Sequence, residues 1–164
     1  KSIVGVADTS HRGRCLRHAS RVATGYSGTP LVKKLGLKEG NVVALLDAPA
    51  GWSVRNIGSD VQVHSDLRCG PDMVIAFIRS VWALRRQAGR LVKAVPPAGA
   101  LWVAWPRRAG GHVSDVTEQS LRDELLPTGL VDNKVAALDQ DWSGLRFVWR
   151  KGLREGLARS RAKT

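Results

Sequence analysis

Arg79, Arg107 and Arg108 are the residues of this 164-residue chain whose types and positions most directly suggest binding chemistry. Each follows an apolar run of strand length, residues 73–78 for Arg79 and 100–105 for the other two, the latter run ending in Trp105. In an open α/β sheet, ligands bind beyond the carboxyl ends of the strands, near the point where strand order reverses. Asp47 and Trp52 leave a third such run, which begins at Asn41. Ser80 opens the segment after Arg79, and the free N–H groups of a helix start favour an anion. Three arginines, a helix N-terminus and an indole predict a pocket for a phosphate- or carboxylate-bearing ligand. The competing reading is that these arginines are solvated, or pair with Asp115, Glu118 and Asp123.

Other groupings carry less. His11, Cys15 and His18 have the types of a metal triad, but Arg12, Arg14 and Arg17 interleave with them. That positive field opposes a divalent cation, and a structural zinc site takes four ligands. No metal site is expected. His64 and His112 each stand alone in sequence. The chain has no Gly-x-x-x-x-Gly-Lys phosphate loop, no Gly-x-Gly-x-x-Gly and no Gly-x-Ser-x-Gly elbow, so no catalytic residue is assigned.

The elements that must position these groups follow from periodicity. Thr29-Pro30 can start a short helix that Gly36 ends. Residues 41–49 and 73–78 are continuous apolar runs, as expected of strands covered on both faces. Residues 61–65 alternate and read as a strand between them. Ser80 is a plausible N-cap for a helix whose Val81, Leu84, Ala88, Leu91, Val92 and Val95 form one stripe, with Arg85, Arg86, Arg90 and Lys93 away from it. Residues 100–105 make a fourth strand. Ser114 or Asp115 can cap a helix carrying Val116, Leu121 and Leu125. Residues 131–138 and 145–150 close the chain as a hairpin, where Trp142 and Trp149 could face outward and form a homodimer contact. Strands alternating with helices imply a parallel sheet with right-handed crossovers, made mixed by the hairpin.

Composition narrows the class. Two cysteines cannot staple a secreted scaffold, and no apolar run is long enough to span a bilayer. Without a signal-peptide core at the N-terminus, a cytoplasmic setting is expected. The formal net charge is +12. Residues 1–24 hold +4 of it and residues 150–164 hold +5, which leaves +3 for 25–149. The chain therefore reads as a basic extension (1–24), one domain (25–150) and a basic tail (151–164). Because it begins without Met and a recognisable pattern starts at Gly25, Val22 is a candidate initiator, with residues 1–21 as an upstream extension.

The parallel sheet ending in a hairpin resembles the class I S-adenosylmethionine-dependent methyltransferase fold, shortened by about one strand–helix unit. The runs GYSGTPLVKKLGL (25–37), ALWVAWPRRAGG (100–111) and LPTGLVDNKVAALDQDWSGLRFVWRK (126–151) resemble an uncharacterised actinobacterial family. The resemblance implies a three-layer Rossmann-like α/β fold with a sheet of about six strands in the order 2-1-3-4-6-5. In such methyltransferases the first strand ends in an acid followed by a glycine-rich turn. Asp47 fits the acid, but Ala48 and Pro49 stand where glycines are needed, and only Gly51 remains. Asp66 follows at about the 20-residue interval at which a ribose-binding acid is found.

The leading expectation is thus a non-catalytic binder of a small anionic or nucleotide-like ligand, held by Asp47, Trp52, Asp66, Arg79, Ser80, Trp105, Arg107 and Arg108. No cofactor is expected on that reading. One alternative is a minimal methyltransferase using S-adenosylmethionine. Another is nucleic-acid contact through the basic arms; neither arm carries the interleaved aromatics of a stacking platform.

Overall fold

The computed structural model describes residues 28–163, so the basic N-terminal segment and its His11, Cys15 and His18 lie outside the described residues. Six strands form one mixed sheet: β1 (Val42–Leu46), β2 (Gln62–His64), β3 (Met73–Phe77), β4 (Ala100–Pro106), β5 (Leu130–Ala137) and β6 (Trp142–Trp149). Their spatial order is β2-β1-β3-β4-β6-β5, as the fold resemblance implies. The first four run parallel, with Val43 opposite Met73 and Met73 opposite Ala100, while β6 lies antiparallel to both β4 and β5. Asn133 is the extra residue of a bulge between Asp132 and Lys134.

Alternation divides the strands between two faces, and the continuous apolar runs follow from both faces being covered. On the first, Ala44, Val74, Ala76, Val103 and Trp105 pack against Leu84, Leu91 and Leu121. These come from α2 (Val81–Ala94) and α3 (Glu118–Leu125). On the second, Val43, Ile75, Phe77 and Trp102 pack with Leu35, Leu138 and Trp142. The only helix there, among the described residues, is the five-residue α1 (Leu31–Leu35), because the connections β1–β2 and β2–β3 carry no helix. None of the described helices is long and apolar enough to cross a membrane.

The caps differ from expectation in instructive ways. Ser80 does cap α2, accepting from Ala83 N at 3.2 Å. Thr117, not Ser114 or Asp115, caps α3 in a reciprocal pair with Ser120. Asp115 instead crosses to α2 and accepts from Val81 N at 3.0 Å. α1 starts after Pro30, without a side-chain cap from Thr29, and ends at Gly36 with φ 78°.

The basic segment read as a tail is helical over α4 (Lys151–Arg161). Leu157 packs on the first-face core, and the Arg161 guanidinium donates to the carbonyls of Lys93 and Val95 at 2.7 and 3.1 Å. A cation on the last carbonyls of α2 is favoured by the helix dipole. The hairpin tryptophans, whose spacing also allowed an outward face, are buried. Trp149 donates from Nε1 to Val95 O at 2.9 Å, and the Trp142 ring meets Phe77 edge-on at 4.8 Å.

Gly144 on β6 is closely packed against the second face. A Cβ there would lie 3.1 Å from both Leu138 Cδ2 and Trp102 Cε3. Gly144→Ala is therefore expected to cost about 1–3 kcal/mol by overpacking, measured by urea unfolding.

Candidate functional site

β6 runs against β4 with Trp142 opposite Pro106, so the β5–β6 turn lies at the carboxyl edge of the parallel strands. The exits of β1, β3 and β4 meet that turn there. Between β1 and β3, where strand order reverses, the edge is closed by the protein's own groups. Asp47 takes the left-handed conformation (φ 53°), its carbonyl accepts from Arg79 Nη1 at 3.3 Å, and its carboxylate accepts from Gln87 Nε2 at 3.3 Å. Arg79 stacks over the Trp142 ring, 5.2 Å from its centroid. The turn after β1 folds the Trp52 indole onto Phe77 of β3, edge to face at 4.7 Å. Trp52 Nε1 donates to Asp139 Oδ2 at 2.7 Å, and the other oxygen of Asp139 accepts from the backbone N–H groups of Asp141 and Trp142.

Two clefts flank this closed centre. One, of about 410 Å³, lies between the start of α1, the 51–56 turn and Leu138-Asp139, with Trp52 and Arg55 in its wall. The other, of about 540 Å³, opens beyond β4. Trp105, 8% exposed, contributes to it from the core, and Arg107, Arg108, Thr117, Arg122 and Ser143 also line it. Arg107 is anchored by Nη1 to Asp139 O at 2.9 Å. Arg122 bridges Glu118 and Asp132 at 3.1 and 3.0 Å, and the hydrogen bond to Asp132 is the chief cause of its raised pKa. Arg108 has no side-chain hydrogen bond or ion pair among the described residues. Outside this cleft, on α1, burial first, then Lys134 and Arg107, pull the Lys34 ammonium below its ordinary range.

The eight predicted site residues are thus dispersed. Trp105, Arg107 and Arg108 share the larger cleft, Trp52 lines the smaller, and Asp47 with Arg79 forms the closed centre between them. Ser80 is spent on capping α2, whose first N–H is taken by Asp115, so that helix start is already supplied with a carboxylate. Asp66 turns back on its own loop and accepts from Arg68 N at 2.7 Å. Arg122 and Asp139 were missed. Arg122 reads as a surface i,i+4 partner of Glu118, and nothing in the spacing of Asp139 points to a tryptophan 87 positions away.

No known family profile matches the chain, and no curated protein does. Solved structures do. The fibrillarin pre-rRNA processing protein of Methanococcus jannaschii aligns with a TM-score of 0.43 at 13% identity, covering 76% of this chain and 70% of that one. LepI, solved with SAM and, as a cysteine variant, with SAH and a substrate analogue, aligns with a TM-score of 0.46 at 12% identity. That alignment covers 73% of this chain and 39% of LepI, so the chain spans well under half of LepI's length. These are likenesses of fold.

Whether the β1 exit fits S-adenosylmethionine is a question of its donors and its turn. Pro49 offers no N–H, Gly51 is the only glycine of the turn, and Trp52 lies folded on Phe77. The glycine cradle of the methyltransferase pattern is not reproduced at this turn.

Proposed function

We propose that the domain is a binding module that holds a small phosphate- or carboxylate-bearing ligand, nucleotide-like in character, in the cleft beyond β4. One observation carries this reading: Arg107, Arg108 and Arg122 converge on one open cleft with the hydroxyls of Thr117 and Ser143, and Glu118 is the only carboxylate lining it. Arg122 is neutralised by its two carboxylates, whereas Arg107 and Arg108 have no acidic partner among the described residues. An anion there gains charge-assisted hydrogen bonds to donors already gathered by the fold. The test is calorimetry and thermal shift of the full chain against inorganic phosphate, nucleoside mono- and triphosphates, and small carboxylates. Arg108→Ala is the clean variant, because Arg108 supports nothing else. Losing a hydrogen bond to a charged group costs about 1.5–3 kcal/mol, so its affinity is expected to fall by about 10- to 100-fold with unchanged Tm. Binding by none of these anions, or binding indifferent to Arg108→Ala, would sink the proposal.

A second reading, a methyltransferase, is favoured by one feature of the closed centre. Gln87 Oε1 is buried with no hydrogen-bond partner among the described residues, next to the Asp47 carboxylate its own amide nitrogen holds. An orphaned acceptor beside a carboxylate suits a cationic donor such as the amino group of S-adenosylmethionine. Calorimetry with S-adenosylmethionine decides it: heat at millimolar cofactor that Asp47→Ala removes would support this reading, and no heat at that concentration would eliminate it.

A further inference from the structure

We propose that the outward face of α2 is a docking surface for single-stranded nucleic acid, separate from the anion cleft. α2 buries Leu84, Ala88, Leu91 and Val92 and turns Trp82, Arg86, Arg90 and Lys93 to solvent along one stripe. From Trp82 to Lys93 the stripe runs about 16 Å at 1.5 Å per residue. Trp82 is 67% exposed, and the Arg86 guanidinium stacks on its ring at 4.7 Å. Gly89, exposed and without neighbours, leaves a notch among the cations. At the Lys93 end the positive charge continues into α4, whose Arg161 is held on Lys93 O.

The carboxylates that α2 meets lie at its start, where Asp115 accepts from Val81 N, and on its flanks, and none pairs with a cation of the stripe. Glu124 of α3 takes Arg85 at 2.6 Å, and Asp47 takes Gln87. Arg86, Arg90 and Lys93 have no acidic partner among the described residues. A row of free cations matches a phosphate backbone, and an exposed indole supplies what cations alone do not, a face on which a base can stack. With one side of the ring covered by Arg86, a base on the other would complete a sandwich. A duplex keeps its bases inside and leaves the indole unused. A membrane is the poorer match, because an interfacial helix presents its apolar face outward and that of α2 is in the core.

The experiment measures binding of labelled 12-nucleotide single strands, the same sequence as duplex, and anionic phosphatidylserine vesicles to the full chain over a salt series. The single strand is expected to bind more tightly than the duplex, with a logarithmic salt slope of about 0.7 per engaged cation. Trp82→Ala is expected to weaken the single strand about tenfold. Arg86→Gln with Arg90→Gln is expected to reduce the slope by about 1.4. Arg85→Gln, on the flank, removes the same charge per residue and is expected to change little. All four side chains are exposed, so an unchanged Tm separates lost binding from lost folding. The proposal is overturned if the single strand fails to bind at low salt, or if vesicles bind in its place. It also fails if Trp82→Ala has no effect and Arg85→Gln costs as much as Arg86→Gln, since net charge would then explain the affinity.

Discussion

Trp102→Ala is expected to lower the free energy of unfolding by about 4 kcal/mol, the largest effect of any single change considered, and Tm by about 10 °C. Trp102 is the largest fully buried side chain among the described residues and belongs to the second face of the sheet. Truncation removes its packing there and leaves a cavity that the sheet backbone cannot collapse to fill. It also removes the N–H that donates to Leu35 O at 3.0 Å. That bond ties α1 to the sheet, and five residues do not hold a helix without tertiary support. Trp102→Phe separates the two contributions: it keeps much of the ring, leaves Leu35 O unpartnered and is expected to cost about 2 kcal/mol. The decisive readout is residue-resolved amide exchange in Trp102→Phe. Gly36 and Leu37, which donate to Val32 O, are expected to lose protection before Val74 in β3 does. Uniform loss across both would mean that Trp102 supports the sheet as a whole and not α1 in particular.

The same residues show what was legible in the sequence. Residues 73–78 and 100–105 read as strands because burial on both faces leaves no polar position to blur the pattern. The stripe of α2 was equally plain, because one cap and one double proline bracket it. α4 was not legible, since its support is three-dimensional: Arg161 reaches carbonyls 66 and 68 positions earlier. Asp115 misled for a related reason. A carboxylate three residues before a helix looks like part of that helix's start, and only the tertiary fold hands it to α2.

The site was legible in its parts more than in its assembly. Strand exits could be read from the sequence, so Arg107, Arg108 and Trp105 were found, and they do share a cleft. Which exits are joined depends on side chains crossing between them. Arg79 closes on Asp47 and Trp52 closes on Asp139, and these contacts divide one expected pocket into two clefts. The exposed Trp82 stands four residues before Arg86, so the same helical spacing that sets Arg86, Arg90 and Lys93 away from the apolar stripe sets the indole with them.

Asp139→Ala is expected to cost about 3–4 kcal/mol, the second largest effect, because one carboxylate serves three donors. Oδ1 accepts from the N–H groups of Asp141 and Trp142 at 2.8 and 2.7 Å, which closes the β5–β6 turn. Oδ2 accepts from Trp52 Nε1 at 2.7 Å, which ties that turn to the exit of β1. Alanine leaves all three donors without this partner, at about 1–3 kcal/mol for each one that water does not reach. Asp139→Asn tests the division of labour. Its one remaining acceptor is best used on the two turn N–H groups, which sets an amide N–H against the indole N–H. The expected cost is about 2 kcal/mol, borne by the Trp52 contact. Trp52→Phe removes that donor, so in its background Asp139→Asn is expected to cost at least 1 kcal/mol less. Additive costs across this cycle would show that the 2.7 Å contact contributes nothing, and that the β1 exit is held by the Trp52–Phe77 packing alone.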